Sequence, residues 1–291
     1  MLLWGFSFIA IEIALREVTP WQLVLLRYLP AAAIFAIVLV VKVIRGQLKL
    51  TKRMTVELLI AGLFMVSMYN LSLNTGLTML PASLGALVIA LNPAMIAIVA
   101  TIFLQERPHP RTWFGLVLAL VGLIFVVLAR YGAPELRAQH LLGMMITLGA
   151  PLSIGLYTSV IRHSAPSLGA VGSTVSAITI GSIPLIFWIG PDLLVTVQTM
   201  SSSLFWSLIF LSLGCTVYGF LMWAYVLKRV EASTAGMFIY FVPLIAAIGS
   251  YLMLDEPIDL PFIGGGTLVI IGVTISTGLM GRLFRLIKTR S

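Results

Sequence analysis

The chain has 291 residues, of which 60% are hydrophobic and only 10% charged, and its mean hydropathy is +1.09. A soluble domain carries roughly 25% charged residues, so this composition excludes a water-soluble globular protein and points to a polytopic membrane protein. The net charge of +8 is read as a guide to orientation in the bilayer rather than as a nucleic-acid surface, and one cysteine, Cys215, excludes an intrachain disulfide.

Ten apolar stretches predict ten spans: residues 2–18, 21–43, 55–76, 82–104, 112–128, 141–161, 170–189, 204–227, 233–254 and 262–280. Turn chemistry separates them at Thr19-Pro20, Pro81, Arg107-Pro108-His109-Pro110, Gly132-Ala133-Pro134, Pro166, Gly190-Pro191-Asp192 and Glu256-Pro257. No basic segment precedes the first apolar run and no clean small-residue site follows it, so no cleavable signal peptide is expected. The segments after the even spans carry 14 Lys and Arg, among them Lys42, Arg45, Lys49, Arg162 and Arg229. Those after the odd spans carry Arg16, Arg130 and Arg137, while Arg27 lies inside span 2. The positive-inside rule then places both termini in the cytoplasm.

A shift of 150 positions lays residues 81–124 on 231–274 without a gap, with 11 identical pairs in 44 positions. The pairs include Ser83/Ser233, Pro93/Pro243, Glu106/Glu256, Gly115/Gly265 and Gly122/Gly272. Span 1 matches span 6 more weakly through Arg16/Arg162 and Pro20/Pro166. Ten spans with an offset of five give two halves of opposite sense, the inverted-repeat pattern of secondary transporters. The expected fold is an all-α integral membrane protein of ten transmembrane helices. The first five-helix repeat is residues 1–129, a connecting loop 130–140, the second, inverted repeat 141–281, and a basic cytoplasmic tail 282–291.

Candidate functional residues come next in chain order. Glu12 is read as mid-span, where a carboxylate costs a few kcal/mol on insertion scales, and it is a candidate proton carrier. Arg27 is placed at a similar depth, roughly 9 Å from the same surface at 1.5 Å per residue, so Glu12 and Arg27 are a candidate ion pair. Trp4, Gly5 and Phe8 share the face of Glu12. Asn70 and Asn74, one turn apart in span 3, and Asn92 in span 4 face either a pathway or another helix, because an unpaired amide does not face lipid. Pro93 and Pro243, with Gly5, are candidate hinges, since each proline removes an amide donor and frees the carbonyl four residues back. Ser153 and Tyr157 in span 6, Tyr218, Met222 and Trp223 in span 8 and Tyr240 in span 9 complete a candidate cavity lining, an apolar wall with hydroxyl handles. Gly115, Gly122, Gly265 and Gly272 are read as sites of close helix packing. Glu106 and Glu256, at span ends, are read as caps or members of short-range pairs rather than as chemical groups.

The chain resembles the drug/metabolite transporter superfamily, in particular its ten-helix EamA-type members. The residues that carry the resemblance are Trp4-Gly5, Pro20 with Leu26-Arg27-Tyr28, Pro81-Ala82-Ser83, Pro93 and Gln105-Glu106-Arg107, echoed at Ala224-Tyr225, Val230-Glu231-Ala232-Ser233, Pro243 and Asp255-Glu256-Pro257. Within the superfamily it is most similar to the YddG-type amino-acid exporters, which implies efflux of aromatic and other neutral amino acids. Many EamA-type members carry a Lys in span 1 where this chain has Glu12.

With Arg27 the one basic residue clearly inside the membrane, phosphorylated cargo is disfavoured. No metal-ligand constellation appears, because His109, His140 and His163 sit at span ends without cysteine companions. No phosphate-binding glycine loop appears either. The expected protein is therefore neither an enzyme nor a cofactor binder. It is a secondary exporter of small neutral metabolites that works by alternating access in a bacterial inner membrane. Its expected partners are a small-molecule substrate and the lipid bilayer, not nucleic acid, with monomer and homodimer both open. The alternative is a multidrug exporter of lipophilic cations that uses Glu12.

Overall fold

The computed structural model describes residues 1–105, 109–130, 134–162, 165–227, 229 and 238–278. Glu106, Arg107-Pro108, His163, Lys228, the segment from Val230 to Ser233 and the tail at 282–291 lie outside the described residues. Every regular element among the described residues is helical. Among the described residues, seven helices are long and apolar enough to cross a membrane: Pro20–Ile44, Lys52–Leu77, Ala82–Phe103, Pro110–Ala129, Ala138–Ile161, Val171–Trp188 and Ser202–Val226. Three shorter apolar helices, Leu2–Leu15, Phe238–Leu254 and Leu260–Ser276, stand at spans 1, 9 and 10. Large apolar side chains cover the outside, with Phe187 87% and Leu260 82% exposed. In water that surface would aggregate, whereas in lipid it is matched to its solvent.

Local chemistry sets the span ends. Span 1 stops at Leu15 because the next helix starts close behind it. The Thr19 hydroxyl accepts from the Gln22 amide, and the Gln22 side chain accepts from the Thr19 amide, a reciprocal cap with Pro20 in the first turn. Glu12 therefore lies in the last turn of span 1 and not mid-span as the sequence reading placed it. Residues 134–140 were expected in a loop but belong to the helix Pro134–Thr147. Proline at its start and the good helix formers Glu135, Leu136, Arg137 and Ala138 explain this. A short helix, Pro191–Thr199, with Asp192 in its first turn, connects spans 7 and 8.

Two kinds of irregularity recur in matched positions. Span 3 carries a π-helical segment at Leu63–Met68 and span 8 one at Phe210–Tyr218. Span 4 is broken between Ala82–Ile89 and Asn92–Leu104, and span 9 changes from a 3₁₀ turn, Phe238–Tyr240, to the α-helix Phe241–Leu254. Spans 4 and 9 also end alike, on the left-handed residues Gln105 (φ 54°) and Asp255 (φ 55°).

The packing follows the same two-fold pattern. Span 1 lies on span 9 and span 6 on span 4; span 3 lies on span 7 and span 8 on span 2. Spans 5 and 10 form the most extensive pair. There Gly115 faces the Gly272 backbone and Gly122 the Gly265 backbone, so closely that a Cβ at Gly122 would stand 2.6 Å from the Gly265 oxygen. In lipid, such small-residue contacts supply the van der Waals packing that holds helices together.

Candidate functional site: a cavity beside a buried arginine

Three features organise the interior. The first is a polar cluster at the start of span 4. Pro81 precedes the helix Ala82–Ile89, whose first amides lack intrahelical acceptors. The Ala82 N–H donates to Glu256 Oε1 at 2.7 Å and to Glu12 Oε2 at 3.0 Å, while the Ser83 N–H and hydroxyl both donate to Glu256 Oε2. Arg16 lies 3.7 Å from the other Glu12 oxygen. Two carboxylates thus share the positive end of a helix, with a guanidinium offsetting their charge. Beside them, the Ser201 hydroxyl donates to Glu17 at 2.5 Å and Gln22 to Thr196 at 3.3 Å. These contacts tie spans 1, 2, 4, 8 and 9 together at the face opposite Met1.

The second feature is Arg27, 8% exposed in span 2. Its Nε donates to Thr216 Oγ1 at 3.0 Å and its Nη1 to Asn70 Oδ1 at 3.4 Å, and the guanidinium lies 5.3 Å from the Tyr28 ring centre. Asn70 donates in turn to the Tyr28 hydroxyl and to the carbonyls of Met65 and Val66. The Thr216 hydroxyl donates to the Leu211 carbonyl five residues back. The carbonyls that accept from Asn70 and Thr216 all lie in the π-helical segments of spans 3 and 8. An arginine at the centre of a span costs roughly 2.5–3.5 kcal/mol on insertion scales.

The third feature is a cavity of about 540 Å³ between spans 1, 8 and 9, lined by Met1, Leu2, Leu3, Trp4, Tyr218, Gly219, Met222, Trp223, Val226 and Phe238. Trp4 is fixed at its wall. The indole N–H donates to the Cys215 carbonyl at 3.1 Å, and the ring packs on Phe220 and Trp223. The Cys215 thiol donates to the Leu3 carbonyl at 3.2 Å. Among the described residues, no charged side chain lines this cavity.

The structure gathers Trp4, Tyr218, Met222 and Trp223 from the sequence-based set and places the others elsewhere. Phe8 is buried in the core. Asn70 belongs to the Arg27 cluster, and Asn74 donates to the Pro20 carbonyl. Asn92 stands beside the Tyr69 hydroxyl with its Oδ1 buried and without a donor. Ser153 donates to the Gly149 carbonyl, Tyr157 packs against the second apolar core cluster, and the Tyr240 hydroxyl donates to Thr277. Gly5 lies against Ile245 and the Val242 carbonyl, a close approach of spans 1 and 9. Pro93 stands in the first turn after the break in span 4, and Pro243 is buried at the start of the α-helical part of span 9. The expected Glu12–Arg27 pair is corrected: Glu12 turns to the start of span 4 and to Arg16, and Arg27 turns to spans 3 and 8. Sequence reading missed Thr216 and Cys215, small residues in an apolar run with no charge or spacing to mark them.

An all-helical bundle with broken helices, matched halves and an open apolar cavity between spans 1, 8 and 9 fits the architecture of a membrane transporter. Residues 1–128 and 141–278 each match the EamA-like transporter family, and the chain belongs to that family, whose members are transporters and not enzymes. It is 26% identical over 274 residues to an uncharacterized transporter of Archaeoglobus fulgidus, covering 94% of each chain. It is 26% identical to the uncharacterized transporter YoaV of Bacillus subtilis, over 97% of this chain and 95% of that one. A probable amino-acid metabolite efflux pump of Escherichia coli is 27% identical, over 98% of this chain and 93% of the other. A solved crystal structure superposes with a TM-score of 0.61 at 19% identity, over 96% of this chain and 94% of that one, a likeness of fold.

Proposed function

We propose that the chain is a secondary transporter that exports small neutral metabolites, chiefly aromatic and other neutral amino acids, by alternating access. The observation that carries this reading is the cavity, whose described lining residues carry no charged side chain and which is walled by Trp4, Tyr218, Met222 and Trp223, with polar contacts closing the face opposite Met1. Aromatic walls suit an aromatic or aliphatic side chain. The Escherichia coli efflux pump supports the same substrate class. Two repeats, 1–129 and 141–281, rock about the cavity, with Pro93 and Pro243 as hinges. The distribution of Lys and Arg supports a bacterial inner membrane location with both termini cytoplasmic, which makes the cavity inward-facing.

The lipophilic-cation alternative depends on a free carboxylate at Glu12, and Glu12 is engaged with Ala82 and Arg16 away from the cavity. Fluxes of labelled phenylalanine, threonine and a lipophilic cation in proteoliposomes, with and without a pH gradient, separate the readings. Saturable amino-acid flux that unlabelled amino acids compete away is the expected result. Cation flux without amino-acid flux contradicts it.

A further inference from the structure

We propose that Arg27 receives the carboxylate of the transported solute, so that the cargo is a carboxylate-bearing metabolite and above all an amino acid. This rests on the transporter reading above and names the group the carrier recognises.

A guanidinium keeps its charge inside proteins and presents five N–H donors in a planar fork. Arg27 uses two of them, one toward a hydroxyl and one toward an amide, and its Nη2 donates to no described residue. No carboxylate among the described residues is paired with it. A buried positive charge held only by neutral partners is incomplete, and a carboxylate completes it with two parallel hydrogen bonds.

The position fits a solute in the cavity. Thr216, which holds the Arg27 Nε, directly follows Cys215, whose carbonyl holds the Trp4 indole at the cavity wall. Arg27 is not among the residues that line the cavity, so the bond from Trp4 to the Cys215 carbonyl must open before the carboxylate of a solute held against Trp4, Met222 and Trp223 meets it. Thr216 sits in the π-helical segment of span 8 and Asn70 two residues after that of span 3, and π-bulges recur at functional sites. The same charge disfavours a cationic cargo.

Chemistry on the solute tests this without altering the fold. In proteoliposomes of the wild-type chain, unlabelled phenylalanine, phenylalaninamide and 3-phenylpropionate compete with labelled phenylalanine. The amide, which lacks the carboxylate, is expected to compete roughly 10- to 100-fold less well, the loss of one charge-assisted contact. Competition by 3-phenylpropionate equal to that of phenylalanine identifies a simple carboxylic acid as sufficient. Weaker competition, still better than that of the amide, identifies an amino acid; both support the proposal. Arg27→Gln abolishes the preference for acid over amide and Arg27→Lys partly keeps it, with folding checked by size exclusion and Tm. An amide as effective as the acid, or an acid preference that survives in Arg27→Gln, overturns the proposal. If wild-type vesicles carry no labelled phenylalanine and the acid raises Tm no more than the amide, the amino-acid exporter reading falls, and the proposal with it. Carriage without acid preference overturns the proposal alone.

Discussion

Glu256 follows span 9 but caps span 4, accepting from the Ala82 N–H, the Ser83 N–H and the Ser83 hydroxyl. A capping carboxylate at a helix start satisfies amides that otherwise have no partner in a low-dielectric setting. Replacing it with alanine removes both acceptor oxygens, which leaves the Ser83 N–H and hydroxyl without this partner and the Ala82 N–H with Glu12 alone. Glu256→Ala is expected to destabilise the fold by about 1–3 kcal/mol, read as a lower Tm in detergent, with Glu256→Gln milder because one oxygen remains. An unchanged Tm in Glu256→Ala contradicts this assignment. A capping or pairing role at a span end was legible in the sequence; which helix it caps was not, because the partner lies 174 residues back. Glu12 and Arg27 teach a related lesson. Equal depth in neighbouring spans suggested a pair, but depth does not fix rotation about the helix axis. Burial of Tyr28, Asn70 and Thr216 around Arg27 turns it away from span 1.

At the scale of elements, hydrophobicity, prolines and caps made the spans legible, while the π-helical turns of spans 3 and 8 carried no sequence signal. They form where Asn70 and Thr216 collect carbonyls four and five residues back, a pairing that only the assembled bundle shows. The breaks in spans 4 and 9 were legible from Pro93 and Pro243. The glycine seam between spans 5 and 10 was legible too, because glycines seven apart share a helix face. Its geometry separates two substitutions close together in one seam. Gly122→Ala sets a methyl group 2.6 Å from the Gly265 oxygen and 2.9 Å from the Leu268 Cβ, and a loss of about 1–3 kcal/mol is expected. Gly264→Ala meets only Phe125 at 3.6 Å and is expected to stay within about 0.5 kcal/mol of wild type. Thermal unfolding of the two variants side by side checks the ordering. Equal midpoints contradict it.

At the scale of the molecule, matched packing of spans 1 on 9 and 6 on 4, and of 3 on 7 and 8 on 2, is the structural form of the shift by 150 seen in the sequence. The close approaches are kept while individual glycines change sides. Gly249 of span 9 faces Ile9 of span 1, and Gly155 of span 6 faces Val99 of span 4. A bundle of this symmetry exchanges its open and closed ends without new contacts being invented for the second state. The orientation proposed from charge is open to direct labelling. Gln47 and Gln198 are both exposed and lie on opposite faces, after spans 2 and 7, and the native Cys215 is fully buried. In spheroplasts an impermeant maleimide is expected to label Gln198→Cys directly and Gln47→Cys only after permeabilisation. The reverse pattern would invert the proposed topology. The central claim is that this chain carries neutral amino acids by alternating access, and counterflow tests it most directly. Proteoliposomes loaded with unlabelled phenylalanine and diluted into a trace of labelled phenylalanine should accumulate label transiently above equilibrium, as a carrier exchanges one solute for another. Label that rises to equilibrium without overshoot, or no faster than in protein-free liposomes, would contradict the account.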